Sequence, residues 1–513
     1  MPDSTDLIIA HDVGTSGVKT VLTDARGRIQ AKHMEPYPTH FPRPGWAEQD
    51  AEDWWRGVCL GTRAVWSEGH PSGSLACVTF STQMMGLVPL DARGAVLHRP
   101  IIWLDGRASA EATVIMRRFG GTRLFTQLAG ATLSGKDMMP KLRWLRFHEP
   151  DIWKEMACFV DVGGYLLRRC TGRTAMEWTG ASAFGFDLKS KRWMSGVMRM
   201  AGIASDKLPP LVRPIDVVGG ASDAAAADLG VARGTPIVAG MGDVPAAAIG
   251  SGAVGDGDGH LYLGTSGWVG LITAGHPTGR HGVAVIQSGD PERNLMTAEM
   301  DSGGACIDWV ADELYRGWDR ELARRDVYAE IDRDAEASPP GSGSLLFTPW
   351  MCGERALNDP FLRAAFLNLG PEHHRESLAR AALEGVAFNF RWILEQLEQD
   401  FHLAPRTLRV VGGGARSTVW MQIIADVTQR RLEVVDDPQD AGAVGAALSA
   451  GVALGIHPSF SSLRELVQVT ASFDPHPEAT PAYDFLFHRF QEAYRHLRGL
   501  YRAMNGGSAP PSP

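Results

Sequence analysis

The segment from Asp12 to Lys19 combines residue types that could bind phosphate. The apolar run Leu7-Ile8-Ile9-Ala10 predicts a strand, and Gly14-Thr15-Ser16-Gly17 predicts a tight turn into a second strand. Glycines in such a turn leave successive backbone N–H groups accessible, with the Thr15 and Ser16 hydroxyls beside them. Asp12 could hold a hydrated Mg²⁺, and Lys19 could face the phosphates. An ordinary β-hairpin would use the same residues, so this segment alone leaves both interpretations open.

The same tetrapeptide recurs as Gly264-Thr265-Ser266-Gly267, about half a chain length later and again after an apolar run, His260-Leu261-Tyr262-Leu263. Two copies in the same context predict two halves with related folds. The two hairpins could then hold one polyphosphate across a cleft.

A third glycine-rich segment, Gly412-Gly413-Gly414, lies between a predicted strand and a predicted helix and is followed by Ser417. Without side chains, this turn could allow the flat surface of an adenosine to approach the backbone. A simple strand–helix turn is the alternative.

Asp243 is placed where a carboxylate could act as a general base. It lies between the end of an apolar strand and the start of a small-residue helix, in Met241-Gly242-Asp243-Val244-Pro245. The same position would also suit the N-cap of that helix.

The composition excludes several classes of protein. The chain has 513 residues, enough for two to four domains, and its net charge of −9 argues against a nucleic-acid-binding surface. Six cysteines without a CxxC pair indicate reduced thiols in the cytoplasm. Residues 1–6 contain neither a basic nor an apolar segment, so we expect no secretion signal. The longest uncharged run, Ala441 to Ile456, is shorter than a membrane span and predicts a buried helix of small side chains.

Strand and helix signals alternate along both halves. Helices are predicted to begin after Asp50, to cover Lys141–Phe147, Asp161–Cys170 and 376–399, and to follow Ser222 and Ser417. Together with the repeated hairpin, these elements predict an α/β protein with a cleft between two lobes.

In order and spacing, the chain resembles the FGGY carbohydrate kinases, and within that family it is most similar to the xylulokinases. The matching segments are Asp12–Lys19, Trp46–Asp50, Ile102–Arg107, Met139–Leu145, Gly240–Gly250, Gly264–Gly267, Gly353–Arg355, Leu383–Val386 and Gly412–Ser417.

The resemblance implies two actin-like (ribonuclease-H-like) domains, residues 1–254 and 255–500, followed by a disordered tail, 501–513. ATP and sugar would bind in the interlobe cleft, with Asp243 as the catalytic base and Mg²⁺ near Asp12 and Asp243. The implied ATP-binding residues are Gly14, Thr15, Ser16, Lys19, Gly264, Thr265, Ser266, Gly267, Gly412, Gly413, Gly414 and Ser417.

The implied sugar-binding residues are Met84, Met85, Trp103, Asp105, Asp243 and Val244. Two of them depart from the family pattern, because Met85 stands where a histidine is usual and Val244 where an asparagine is usual. Each missing hydrogen bond is worth about 0.5–1.5 kcal/mol. The departures therefore leave open an acceptor with fewer or differently placed hydroxyls. For Trp103, Asp105 and Arg107, a core tryptophan beside a surface ion pair is the alternative.

These features predict ATP-dependent phosphorylation of a terminal hydroxyl on a small ketose, a pentulose such as xylulose first among them. Another polyol or ketose is the alternative acceptor. A different class, an actin-like or chaperone-like ATPase without a sugar acceptor, also fits the two hairpins. The predicted partners are sugar and ATP, without nucleic acid or membrane, and a homodimer is possible.

Overall fold

A computed structural model describes residues 6–66, 75–129, 132–280, 282–316, 324–357 and 359–506. The strands are β1 (Leu7–Val13), β2 (Gly17–Asp24), β3 (Ile29–Pro36), β4 (Leu75–Thr82), β5 (Val88–Leu90), β6 (Cys158–Val160), β7 (Met176–Glu177), β8 (Phe186–Asp187), β9 (Arg192–Trp193), β10 (Leu211–Val212), β11 (Val217–Gly220), β12 (Pro236–Val238), β13 (Met241–Gly242), β14 (Gly259–Leu263), β15 (Gly267–Thr273), β16 (Val283–Gln287), β17 (Asn294–Met300), β18 (Leu346–Thr348), β19 (Ala365–Leu367), β20 (Thr407–Val411), β21 (Arg431–Val435) and β22 (Val469–Phe473).

The helices are α1 (Ala51–Val65), α2 (Ser109–Arg118), α3 (Thr122–Ala129), α4 (Met138–His148), α5 (Pro150–Glu155), α6 (Val162–Thr171), α7 (Trp178–Ser182), α8 (Ser195–Ala201), α9 (Asp223–Leu229), α10 (Asp243–Gly250), α11 (Gly304–Val310), α12 (Arg324–Ala337), α13 (Arg375–Phe401), α14 (Thr418–Thr428), α15 (Ala441–Ala453) and α16 (Thr480–Asn505). The helices predicted from capping and periodicity are all present. Asp50 caps α1 as expected, because its side chain accepts a hydrogen bond from the Glu52 N–H.

Each half of the chain forms a large mixed sheet of seven strands. The first sheet has the order β11-β12-β4-β1-β2-β3, with β13 also beside β4. The second has the order β16-β17-β15-β14-β20-β21-β22. From the central strand, β1 or β14, antiparallel strands follow on one side, two in the first sheet and three in the second. Two parallel strands and then an antiparallel one follow on the other.

The shared order of the two sheets confirms the prediction of two related halves. Both repeated tetrapeptides connect the central strand to its antiparallel neighbour, so both hairpins leave the same edge of their own sheet. The turns differ by one residue, because Val13 pairs with Val18 in the first hairpin whereas Leu263 pairs with Gly267 in the second.

Two helices, one from each half of the chain, pack against the sheet of the other half. α10 comes from the first half, but its residues Val244, Ala247 and Ala248 join an apolar cluster with strands β15 and β20 of the second sheet. α15 comes from the second half, but its alanines join a cluster with β1 and β4 of the first sheet. The two halves are therefore held together by α10 and α15, which also pack closely against each other.

The predicted buried helix of small residues is α15, which confirms that interpretation of the uncharged run. No helix among the described residues is long and apolar enough to cross a membrane. The predicted disordered tail is wrong for residues 501–505, because they continue α16 to Asn505. The remainder of the tail, 507–513, lies outside the described residues.

Candidate active site

In the first hairpin, the carbonyl groups of Gly14 and Thr15 are bound by side chains of the protein, whereas two N–H groups are left without an acceptor among the described residues. The Gly14 carbonyl accepts hydrogen bonds from the Tyr37 hydroxyl and from Gln83 Nε2, the latter at 3.1 Å. The Thr15 carbonyl accepts one from Gln49 Nε2 at 2.6 Å. Among the described residues, the N–H groups of Thr15 and Ser16 have no acceptor. They are therefore available to an anion.

In the second hairpin, the carbonyl groups are bound by backbone N–H groups at the start of a helix, α11. The Gly264 carbonyl accepts from the Gly304 N–H at 2.7 Å, and the Thr265 carbonyl accepts from the N–H groups of Gly303 and Ala305, each at 3.0 Å. These bonds tie the hairpin to the start of α11. In the described part of the chain, the Thr265 and Ser266 N–H groups lack a protein acceptor, and Thr265 is exposed.

Asp12 is the residue before the last one of β1. Its Oδ1 accepts a hydrogen bond from Ser81 Oγ at 2.8 Å. Burial raises the pKa of Asp12, although the nearby Lys19 acts in the opposite direction. The carboxylate faces the first turn of α15, where a Cβ on Gly442 would lie only 3.3 Å from both of its oxygens.

Asp243 is the first residue of α10, and Gly242 occupies the N-cap position. The N-cap alternative is therefore wrong, and the only described hydrogen bond to the Asp243 carboxylate comes from the adjacent Val244 N–H at 2.9 Å. Burial raises the pKa of Asp243 to about 7, with contributions from the charges of Asp12 and Glu299. The two acids thus share one environment, and Asp243 can release or accept a proton near neutral pH.

A buried polar chain fixes the backbone beneath Asp243. The Gly242 N–H donates to Thr179 Oγ1 at 2.7 Å, and this hydroxyl donates to Glu177 Oε1 at 2.7 Å. Burial, together with the charge of Asp161, raises the pKa of Glu177. Such a network holds the start of α10 in one position.

The structure does not support the phosphate role predicted for Lys19. Its ammonium donates to the Gln439 carbonyl and forms an ion pair with Asp440 at 3.3 Å, both in the second half of the chain. Asp440 also binds Lys32 at 2.9 Å and is buried. Lys19 is therefore a bridge between the lobes, because a buried carboxylate must be paired.

Of the three glycines predicted to lie near the adenosine, only Gly413 has open space beside it. Gly412 and Gly414 close against Leu263, since a Cβ on either would lie 2.5 Å from an atom of that residue. Gly413 is exposed and faces open space. Ser417 is the N-cap of α14, where its Oγ accepts from the Trp420 N–H and donates to Asp332. Its hydroxyl is thus already used within the protein.

Of the predicted sugar-binding residues, Met84 and Trp103 lie beside the site. Met84 packs against Gly242, next to Asp243. Trp103 is partly exposed and donates its indole N–H to Thr15 Oγ1 at 2.9 Å, which connects it to the first hairpin. Met85 adopts a positive φ of 60°, and its carbonyl accepts from Lys141 Nζ at 3.0 Å.

The sugar contacts predicted for Asp105 and Val244 are not supported. Asp105 is fully buried, and its oxygens accept from the Ala47 N–H at 2.6 Å and from the Arg107 guanidinium. That guanidinium stacks over Trp46 at 3.7 Å, so the ion pair is internal rather than on the surface. Val244 is buried in the apolar cluster between the lobes.

Sequence reasoning missed two further features near the cleft. Lys141 is fully buried and joins the Met85 segment to the Trp103 segment, because Nζ also donates to the Ile102 carbonyl at 2.8 Å. Arg355 forms ion pairs with Glu299 and Asp301. The sequence signal for a buried Lys141 was its place among apolar residues of the predicted helix.

The two related halves thus bring together two interacting acids, Asp12 and Asp243, and two hairpins with N–H groups that lack an acceptor among the described residues, an arrangement that could bind phosphate. The family model for the N-terminal domain of the FGGY family of carbohydrate kinases matches residues 7–250. The model for its C-terminal domain matches residues 259–454. The chain belongs to this family, whose members are phosphotransferases with an alcohol group as acceptor and ATP as donor.

Its relatives include several xylulose kinases. The xylulose kinase of Escherichia coli (strain K12) is 29% identical over 497 residues, which cover 96% of this chain and 100% of the relative. The gluconokinase of Bacillus subtilis (strain 168) is 27% identical over 502 residues, 97% of each chain. The crystal structure of xylulose kinase from Rhodospirillum rubrum matches with a TM-score of 0.85 at 27% identity, over 97% of this chain and 100% of that one.

Proposed function

We propose that this carbohydrate kinase phosphorylates a terminal hydroxyl of a small ketose, with a pentulose such as xylulose as the preferred acceptor. The observation that carries the proposal is the position of Asp243, at the cleft end of α10, with a pKa raised to about 7 beside Asp12. The similarity to xylulose kinases over nearly the whole chain supports the choice of acceptor.

In the proposed mechanism, Asp243 accepts the proton of the acceptor hydroxyl as its oxygen attacks the terminal phosphorus of ATP. The N–H groups of Thr15, Ser16, Thr265 and Ser266 bind the phosphate oxygens from opposite lobes. The adenosine lies near Gly413, and the indole of Trp103 contacts the sugar. Closure of the lobes excludes water, which would otherwise compete as the acceptor.

The residues at the cleft fit a magnesium ion. Asp12 and Asp243 offer hard carboxylate oxygens, and Gly442 leaves the space in front of Asp12 open. Within the described ranges, no group of three or more His, Cys, Asp or Glu side chains could hold a metal. Two carboxylates suit Mg²⁺, which binds one or two carboxylates together with phosphate oxygens and water. When bound, it would neutralise charge on the phosphates.

The raised pKa of Asp243 predicts an acidic limit to activity. Because the base must be ionised, kcat/KM for the acceptor should fall as the pH drops through about 7, rather than near the ordinary aspartate pKa of about 4. Glu299→Gln removes one of the negative charges that raise this pKa, so it should move the limit to lower pH. Glu492→Gln, on the outer helix α16, is the control and should leave the limit in place. A limit below pH 5 in the native enzyme would contradict the prediction.

A panel of acceptors tests the proposed function itself. ADP release coupled to a dehydrogenase assay should be slow with ATP alone and should rise strongly with D-xylulose, and less with ribulose, gluconate or glycerol. The gluconokinase relatives make gluconate the second candidate, and the apolar Met84 beside Asp243 favours acceptors with fewer polar groups there. ATP hydrolysis unchanged by every sugar and polyol would contradict the proposal and favour an ATPase without a sugar acceptor.

We also propose a cytoplasmic location, in keeping with the unpaired cysteines. The possible homodimer and the domain limits at 254 and 500 stay predictions.

A further inference from the structure

Tyr262 occupies the position in the second half that Asp12 occupies in the first. Each lies two residues before the glycine that opens its hairpin and one residue before the last residue of the central strand of its sheet. The first half therefore places an acid at this point, and the second half places a phenol. An acid binds cations, whereas a phenol can donate a hydrogen bond to an anion.

Packing directs the Tyr262 ring along the second hairpin. The ring stacks on Trp268, the residue opposite it in β15, with centroids 3.7 Å apart and planes 5° from parallel. The hydroxyl lies next to Gly264, since a Cβ on that residue would be 2.5 Å from the oxygen. The phenol thus reaches the hairpin that we propose binds phosphate.

The Tyr262 ring lies near the first residues of both α10 and α15. Tyr262 packs against the apolar cluster that contains Val244, next to Asp243, and Ala441, the first residue of α15. Burial and the charges of Asp12 and Asp243 raise the pKa of Tyr262, so the hydroxyl keeps its proton. Across the described residues, no hydrogen bond uses this hydroxyl, and the residue is partly exposed.

We propose that the Tyr262 hydroxyl donates a hydrogen bond to the terminal phosphate of the bound nucleotide and positions it toward Asp243. This inference rests on the proposed kinase function. We assign the terminal phosphate in particular, because Tyr262 reaches the second hairpin and also packs on the cluster that contains Val244, the neighbour of the proposed base Asp243.

Tyr262→Phe tests the proposal, because it removes the hydroxyl and keeps the stacked ring. Binding of ADP and of the non-hydrolysable analogue β,γ-imido-ATP, both with Mg²⁺, is measured by calorimetry, and kcat by ADP release. The analogue should bind about tenfold more weakly to the variant, while ADP binds as before, because only the analogue carries the terminal phosphate. The value of kcat should fall by a similar factor. Tyr494→Phe makes the same change on α16 and should alter none of these quantities.

Two results would overturn the proposal. Equal binding of the analogue and unchanged kcat would show that the hydroxyl contacts no phosphate. Equal weakening of ADP and analogue binding, with a lower melting temperature, would show a structural role only. If native protein releases no ADP with any acceptor, the proposed sugar kinase function fails, but the comparison of the two nucleotides still tests Tyr262.

Discussion

Asp243→Asn should lower kcat by about 10²–10⁴ while ATP binding persists. The substitution keeps the size of the side chain and removes its ability to accept a proton from the acceptor hydroxyl. Because the Asp243 carboxylate is buried beside Asp12, replacing it with a neutral amide should also maintain or raise the melting temperature at pH 8. Activity by ADP release and thermal unfolding, measured on the same preparation, separate loss of chemistry from loss of fold.

Asp223→Asn provides a matched control for this substitution. Asp223 is also the first residue of a helix, α9, but its side chain is exposed and pairs with Arg233 on the surface. Its replacement should leave kcat unchanged. An Asp243→Asn variant with native kcat would remove Asp243 from the role of base.

Gly445→Ala should destabilise the protein by about 1–3 kcal/mol and reduce activity with it. Gly445 lies where α15 crosses α10, and an added Cβ would collide with the Ala246 carbonyl and lie 2.7 Å from the Gly250 backbone nitrogen. The obstructing atoms belong to the backbone, so they cannot move aside without shifting α10 and hence Asp243. Urea unfolding followed by circular dichroism measures the change in the free energy of unfolding.

Gly499→Ala is the control, because Gly499 is also inside a helix, α16, but has open space where the Cβ would lie. There the ordinary helix preference for alanine should stabilise the protein by up to about 1 kcal/mol. If both substitutions stabilise equally, the close crossing of the two helices is contradicted.

The fold was predictable because its signals are local. The apolar run before each hairpin, the Asp50 N-cap and the alanine-rich run after Asp440 each specify an element from neighbouring residues. The repeated tetrapeptide then indicated how the elements are arranged, because related local sequences adopt related sheets.

The side-chain partners were not predictable in the same way, because they depend on residues far apart in the chain. Lys19 meets Asp440 only because α15 crosses to the first sheet, and no local pattern shows that exchange. Asp105 has the residue type of a ligand-binding acid, but the distant Ala47 backbone and the stacked Arg107 use its oxygens.

A crystal structure with ADP, Mg²⁺ and the best acceptor from the panel tests the central claim most directly. We predict that the nucleotide phosphates lie within about 3 Å of backbone nitrogens from both hairpins, Gly14–Gly17 and Gly264–Gly267. We predict the acceptor hydroxyl at a similar distance from an Asp243 carboxylate oxygen. Phosphates bound by one hairpin alone, or an acceptor hydroxyl beyond the reach of Asp243, would contradict the account.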